Sequence, residues 1–217
     1  MATNRLLTDK DREELKPIIE ELFRVCPDTM KRKIARANVQ QAFILGAVLD
    51  QIAQEDFHKV LSVGHYDDTA YEYLKSFPFS KLIDLVGVDP AINIDLHSFR
   101  NGKTTKDGLG FDIIFSTSVI EHVQNDEEFL DDICKLLNKG GVGILTMDFN
   151  NDYRPGDKLP HSNIRFYTKK DLEFRLTKIL TNNGCDLVDI PDWSGEPEFT
   201  HDGCNYSFAT FVFRKNE

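Results

Sequence analysis

The feature that most constrains this chain is an alternation, from His58 onward, of short apolar runs with helical segments. The runs have the length of buried β-strands and lie at 59–64, 82–89, 111–115 and 142–149. Between them, the capping-box spacings Thr69-x-x-Glu72 and Asn125-x-x-Glu128 each predict the start of a helix. Strands that alternate with helices predict a Rossmann-like α/β fold, with a doubly wound and mostly parallel sheet.

The first 57 residues read differently, because apolar positions recur at helical spacing from about residue 9 to residue 55. Pro17 is expected to start or kink a first helix, and Cys26-Pro27-Asp28 separates it from a second. The basic run Lys31-Arg32-Lys33 is expected to begin that second helix. We therefore predict an N-terminal helical lid over 1–57, joined in one unit to an α/β domain over 58–217.

The C-terminal part continues the pattern and then changes it. Gly140-Gly141 is expected to end the helix that opens at Asn125, and 149–167 reads as a long loop after a central strand. A helix over about 168–181 should follow, stopped by Asn182-Asn183-Gly184. Strands at 186–190 and 206–214 are expected to form a C-terminal antiparallel hairpin at the sheet edge.

Charge and cysteine usage narrow the function classes. Lysine and arginine number 26 against 36 aspartates and glutamates, a net charge of −10, which disfavours a nucleic-acid partner. The four cysteines form no Cys-x-x-Cys pair, so neither a disulfide framework nor a structural metal is expected. The first residues turn polar, and no apolar stretch reaches the ~20 residues of a membrane span. We expect a cytoplasmic protein.

Polar residues follow the strands where a ligand of such a sheet would bind. The first strand ends in Gly64-His65-Tyr66, where glycine permits a tight turn and close approach of a ligand. The second ends in Asp89, a carboxylate suited to hold a ribose diol. Ser116-Thr117 closes the third.

These tips carry a resemblance. The stretches from Phe111 to Val123 and from Leu136 to Leu145 resemble the fourth strand, helix and fifth strand of class I S-adenosylmethionine-dependent methyltransferases. Arg165-Phe166-Tyr167-Thr168 followed by Asp171-Leu172 resembles a helix found in small-molecule and glycan-tailoring members. The resemblance covers about 58–214. It departs from the family at Ser62, Tyr66 and Asp68, which leave a single glycine in the cofactor loop.

The resemblance implies S-adenosylmethionine as cofactor, with S-adenosylhomocysteine as product. The resemblance also implies which part of the cofactor each residue contacts. Asp89 would bind the ribose hydroxyls, and Asp95 with the Leu96 amide would bind the adenine. Ser116 and Thr117 would line the methionine end. The glycine corner comprises Gly64, His65 and Tyr66.

The acceptor is expected to be a hydroxyl of a small polar molecule, such as a sugar of a surface glycan or its precursor. His122 is the first candidate for a general base and His161 the second, because histidine exchanges protons near neutral pH. A purely structural role for His122 is an equal alternative.

Two further sets of residues, three aspartates and three aromatics from 148 onward, each have two interpretations. Asp148, Asp152 and Asp157 could ligate a divalent cation, but a solvated polar loop is favoured and no metal is expected. Tyr153, Phe166 and Trp193 could wall an acceptor pocket, although core packing is the favoured role of such aromatics.

Rival functions find less support. A nicotinamide dehydrogenase would need Gly-x-Gly-x-x-Gly where Gly64-His65-Tyr66-Asp67-Asp68 stands. A DNA amino-methyltransferase would need an Asn/Asp-Pro-Pro-aromatic tip in place of Ser116-Thr117-Ser118-Val119. Because the cofactor loop has one glycine, a catalytically inactive, methyltransferase-like binding module is the alternative that we carry forward.

Overall fold

The computed structural model describes residues 3–53, 58–76, 82–102 and 110–217. The strands are β1 Leu6–Leu7, β2 His58–Val63, β3 Ile83–Val88, β4 Phe111–Thr117, β5 Leu137–Phe149, β6 Cys185–Leu187, β7 Phe199–His201 and β8 Cys204–Lys215. The α-helices are α1 Asp9–Glu14, α2 Lys16–Val25, α3 Pro27–Arg32, α4 Asn38–Ile52, α5 Thr69–Ser76, α6 Leu96–Gly102, α7 Asp126–Leu136 and α8 Thr177–Asn182.

One mixed sheet forms the centre, with strand order β1-β8-β5-β4-β2-β3 and with β6 and β7 also paired to β8. The four predicted strands are confirmed as β2 to β5, and they run parallel. Strand β8 returns antiparallel to β5, from Val142↔Arg214 to Phe149↔Ser207. Helices α2 to α5 cover one face and α6 to α8 the other, so the predicted Rossmann-like α/β class is confirmed.

The C-terminal hairpin is more elaborate than its prediction. Strand β6 pairs antiparallel with β8 but covers only Cys185–Leu187, and β8 lies inside the sheet between β5 and the short outer strands. The N-terminal strand β1 pairs with β8 through Leu6↔Ala209. The edge of the sheet is therefore built from both ends of the chain, which no local pattern could indicate.

Two predicted helix boundaries are wrong. Helix α7 ends at Leu136 rather than at Gly140-Gly141, because β5 starts at Leu137. The two glycines lie in the first part of β5, where its pairing with β4 is irregular. A Cβ at Gly141 would lie 2.9 Å from the Phe111 carbonyl oxygen, so this close pairing requires glycine.

In the N-terminal segment, the basic run Lys31-Arg32-Lys33 ends α3 instead of beginning the second long helix. Pro27 occupies the first turn of α3, as Pro17 does for α2, and each proline starts a separate short helix. The long helix α4 begins only at Asn38; positions 54 and 55 of the predicted helix lie outside the described residues. Among the described helices, none is long and apolar enough to cross a membrane.

A buried ionic cluster ties the loop after β5 to α7. The carboxylate of Asp126 accepts hydrogen bonds from the Tyr167 hydroxyl at 2.8 Å and from Arg175 at 2.9 and 3.1 Å, and Arg165 lies 2.7 Å away. Burial alone would raise the pKa of Asp126, but the hydrogen bonds from Arg175 and Arg165 lower it below 3.8. This cluster fixes the helix that follows His122.

We expect Asp126→Asn to destabilise the protein by about 3 kcal/mol near neutral pH, because it leaves two guanidinium groups without their buried anion. Since the folded-state pKa is lowered, the wild-type contribution is present above pH 3.8 and is lost as pH falls below it. Urea unfolding at several pH values measures both effects. Asp131→Asn, which removes an exposed pair with Lys135 on the same helix, should change stability by less than about 1 kcal/mol; equal losses would contradict the assignment.

Candidate active site

A cleft of about 600 Å³ opens at the carboxyl ends of β2, β3 and β4. This volume is typical of a small-molecule site. Its walls are mostly apolar, and they include Val63, Val88, Leu96, Val119 and Phe129. Because the three strands are parallel, their ends meet at the edge where ligands of doubly wound sheets bind.

The glycine corner after β2 is required by its geometry. Gly64 has φ of +79°, and a Cβ there would lie 2.4 Å from Cγ2 of Val119. Its backbone N–H donates to the Val88 carbonyl oxygen at 2.8 Å, which joins the corner to β3. Only glycine combines this backbone conformation with this close contact.

Asp89 holds the rest of the loop. One carboxylate oxygen accepts from the Tyr66 N–H at 3.1 Å, and the other accepts from the Ala91 N–H at 2.8 Å. The side chain is nine-tenths buried and lines the cleft. A carboxylate has about four acceptor positions, so this one can also receive two hydroxyl groups. The Tyr66 contact explains how the loop keeps its shape without further glycines.

Other predicted cofactor residues border the same cleft. Asp95 is exposed and caps α6 by accepting from the Ser98 N–H at 2.9 Å, and this hydrogen bond lowers the pKa of Asp95. Leu96 forms a buried wall, and Thr117 lies at the end of β4. With Gly64, Tyr66, Asp89 and His122, these make seven of the ten predicted site residues on one surface.

The other three lie elsewhere. His65 packs beneath the loop against the Tyr71 ring, with ring centroids 4.7 Å apart. Ser116 is buried and donates its hydroxyl to the Val63 carbonyl oxygen at 3.0 Å, which joins β4 to β2. His161 lines a neighbouring cavity. For His65 and Ser116 the contacts position the loop and the strands; neither side chain borders the cleft.

That second cavity, of about 280 Å³, shares His122 with the cofactor-sized cleft. It lies between the N-terminal segment 32–41, the end of β5 and the loop 160–163. His122 Nδ1 lies 2.9 Å from the Ser162 carbonyl oxygen, which can only accept, so Nδ1 carries the hydrogen. The neutral ring therefore presents Nε2 as a proton acceptor.

Two buried carboxyl groups lie beside this cavity. The Glu121 Oε1 atom accepts from the Ser118 hydroxyl at 2.8 Å and from the Asp148 N–H at 3.3 Å. Burial raises the pKa of Glu121 to about 7. Burial also raises the pKa of Asp148, and the negative charge of Glu121 raises it further. The pair therefore retains protons that exposed carboxylates would lose.

Sequence reasoning missed this pair and two amides. From the sequence, Glu121 is interpreted as a residue that serves the start of the helix. In the structure Asn125 caps α7, because its side-chain oxygen accepts from the Glu128 N–H at 3.2 Å. Gln40 and Gln41 are buried in the first turn of α4 and line the second cavity. In the sequence, these two glutamines stand next to the apolar residues of the helix. Their burial becomes evident only when the position of α4 in the structure is known.

The cation alternative finds no support in the geometry. Asp148 is buried, whereas Asp157 accepts from the exposed Arg154 N–H at 2.7 Å and Asp152 lies in an Asn150 turn. Within the described ranges, no three histidine, cysteine or acidic residues converge as a metal site. The aromatics are core residues: Trp193 stacks on Phe211 and donates to the Thr210 carbonyl oxygen. Phe166 and Tyr153 pack in the core on the other face of the sheet.

The strand order, the glycine corner and the acidic residue ending the next strand define a class I S-adenosylmethionine-dependent methyltransferase. Residues 10–189 match the family model described as a methyltransferase domain, so the chain belongs to that family. The predicted resemblance is thereby confirmed. No curated protein sequence gives a significant match.

Solved structures share the fold at low identity. The CurJ carbon methyltransferase superposes with a TM-score of 0.57 and 12% identity over 87% of this chain and 57% of its own. The cyclase SpnF gives a TM-score of 0.54 and 12% identity, over 85% and 84% of the two chains. The Burkholderia thailandensis 1,6-didemethyltoxoflavin-N1-methyltransferase was solved with bound 1,6-didemethyltoxoflavin and S-adenosylhomocysteine. It superposes with a TM-score of 0.51 and 15% identity, over 98% of this chain and 92% of its own.

The cofactor of this family is S-adenosylmethionine, and the residues of the cleft fit it. Gly64 borders the cleft beside Val119, which packs against it where a Cβ would lie. Asp89 and Asp95 supply acceptors on either side of an apolar wall suited to a nucleoside. The loss of the additional loop glycines is offset by the hydrogen bond from Tyr66 to Asp89.

We expect Asp89→Asn to weaken S-adenosylhomocysteine binding by about tenfold to a hundredfold, because charge-assisted hydrogen bonds to the ribose are lost. Calorimetry on the purified protein measures the dissociation constant. The control is Asp84→Asn, an exposed aspartate on the same strand. Unchanged affinity in the Asp89 variant would remove this residue from the cofactor site.

The carboxyl pair predicts a second pH dependence, of opposite sign to that of Asp126. Because the pKa of Glu121 is raised from 4.5 to about 7, the unfolding free energy should fall as pH rises through that window. Glu121→Gln should flatten this fall, measured by urea unfolding across the same range. Glu13→Gln on the surface of α1 is the control; parallel curves for all three proteins would refute the assignment.

Proposed function

We propose that this methyltransferase transfers a methyl group from S-adenosylmethionine to a hydroxyl of a small polar acceptor bound in the second cavity. A sugar of a surface glycan or of its precursor is the acceptor class that we favour. The observation that carries the proposal is the position of His122, which borders both cavities and presents Nε2 as a proton acceptor.

The fold alone leaves the acceptor atom open. The structural relatives include proteins named as a carbon methyltransferase, an N-methyltransferase and a cyclase, so the same architecture serves different reactions. The proposal of a hydroxyl therefore rests on local chemistry. An alcohol benefits from removal of its proton as it attacks, and a positioned histidine typically contributes about 10²–10⁴-fold to such a step.

Each residue has a defined task in this proposal. When bound, S-adenosylmethionine supplies an activated methyl group. Gly64 and Asp89 hold the nucleoside end, and Thr117 borders the cleft on the side of His122. The Ser162 carbonyl oxygen fixes the His122 tautomer, and Nε2 accepts the hydroxyl proton. The N-terminal segment is the lid in this proposal, because Arg32 and Gln41 line the second cavity.

The acidic net charge supports a small-molecule acceptor rather than a nucleic acid. The basic residues of the second cavity do not form a stripe. Lys33 lies 3.7 Å from Asp67, and His201 lies 3.6 Å from Asp202. A phosphate backbone would have to displace these pairs.

We expect His122→Gln to lower turnover by about 10²–10⁴-fold while it leaves S-adenosylhomocysteine affinity nearly unchanged. Turnover is measured as S-adenosylhomocysteine release with a panel of sugars and polyols, and affinity by calorimetry. His161→Gln, which alters the same cavity at its exposed rim, should lower turnover less than about tenfold.

Three results would contradict the proposal. A joint loss of affinity and turnover in His122→Gln would assign His122 a structural role. Wild-type protein that binds S-adenosylhomocysteine but methylates nothing in the panel would favour the inactive binding module. Transfer to an amine in preference to every hydroxyl would move the reaction to another acceptor atom.

A further inference from the structure

The floor of the second cavity is rich in hydrogen-bond acceptors. Gln41 lines this cavity and is only 6% exposed, and its Oε1 atom is buried with no hydrogen-bond partner among the described residues. Asp148 lines the same cavity and is 5% exposed. Behind it, the Oε2 atom of Glu121 is also buried and, within the described part of the chain, unpartnered. Gln41 and Asp148 thus line one cavity, and Glu121 lies next to Asp148.

Two donors near this floor are already engaged. The Asn163 amide donates to Asp148 at 2.7 Å, and the Ser118 hydroxyl donates to Glu121 at 2.8 Å. The cations at the rim face other acids, since Arg32 and Lys33 both pair with Asp67. Within the described residues, the Gln41 Oε1 atom therefore has no donor to satisfy it.

A ligand that fits this floor must bring donors. A buried acceptor left without a hydrogen bond is costly, and a site built to bind hydroxyl groups discriminates strongly against analogues that lack them. The raised pKa values of Glu121 and Asp148 mean that the pair holds protons near neutral pH. Such a floor suits neutral hydroxyls better than an ammonium group, which needs an ionised partner.

We propose that Gln41 and Asp148 form a subsite that binds the hydroxyl groups of a polyhydroxylated acceptor, as in the adjacent hydroxyls of a sugar ring. The inference rests on the proposed function, because the bound molecule is the acceptor presented to His122. It adds the residues that select the acceptor. One of them comes from α4 and the other from the end of β5, so selection requires the N-terminal segment.

The test uses the full-length protein and three ring compounds: methyl glucopyranoside, cyclohexanol and cyclohexylamine. Saturation-transfer NMR titrations in the presence of S-adenosylhomocysteine measure their relative affinities. We expect the glucopyranoside to bind at least about tenfold more tightly than either of the others. Equal or tighter binding of cyclohexanol or cyclohexylamine, or no binding of the glucopyranoside, would overturn the proposal.

Variants locate the subsite. Gln41→Leu and Asp148→Ala should each weaken glucopyranoside binding by about tenfold, because each removes the polar atoms of one side chain. Gln51→Leu is the matched control, since Gln51 lies on the same helix but at the opposite end of the sheet. If Gln41→Leu does not fold, Gln41→Met replaces the amide with a flexible apolar chain of similar length.

Unchanged binding in both subsite variants, or an equal loss in Gln51→Leu, would show that these residues do not select the acceptor. Calorimetry with S-adenosylhomocysteine separates this failure from that of the proposed function. Retained cofactor affinity with no polyol preference refutes the subsite alone. If the wild-type protein does not bind S-adenosylhomocysteine, the proposed function itself is refuted.

Discussion

The parallel pairing of β2 with β3 and β4 is the constraint on which the rest of the structure depends. Its register places Val63 beside Val88 and Ser62 beside Phe115, so the glycine corner, Asp89 and Thr117 emerge together at one edge. Residues separated by about fifty positions in sequence then share one cleft. A slip of one residue in any of these strands would turn every side chain of that strand to the opposite face, and the cleft would lose its polar groups.

At this edge, one carboxylate fixes the shape of a loop that several glycines commonly shape in this family. Asp89 accepts from the backbone N–H groups of Tyr66 and Ala91, and it thereby holds the loop after Gly64 in place. The short connection after β3 is compatible with this, because Asn93 accepts from the Asp89 N–H at 2.9 Å and α6 begins directly at Leu96. A loop that departs from the family pattern can therefore retain the family geometry, with Asp89 both holding the loop and bordering the cleft.

The second cavity brings together parts of the chain that are remote in sequence. Helix α4 buries Gln40 and Gln41 where an amphipathic pattern would place apolar residues, and Asp148 and Glu121 retain protons beside them. Polar groups are costly to bury, so a cluster of them next to a cofactor cleft is a functional signal. Its connection to the cleft through His122 gives the two cavities a common border, as transfer between two bound molecules requires.

The sequence by itself determined the succession of β2 to β5, the helices α5 and α7 between them, the glycine corner, the acid after β3 and the methyltransferase family, because each depends on local period or on contiguous motifs. It misplaced the end of α7 and the start of α4, since pairing of Leu137 with Phe111 and the proline at the start of α3 override local propensity. Only the tertiary structure decided that Ser116 and His65 face inward, that β1 joins β8, and that Gln41 and Asp148 line one cavity. Those arrangements depend on contacts between residues more than a hundred positions apart or on the direction in which a strand tip turns, and no short window of sequence contains either.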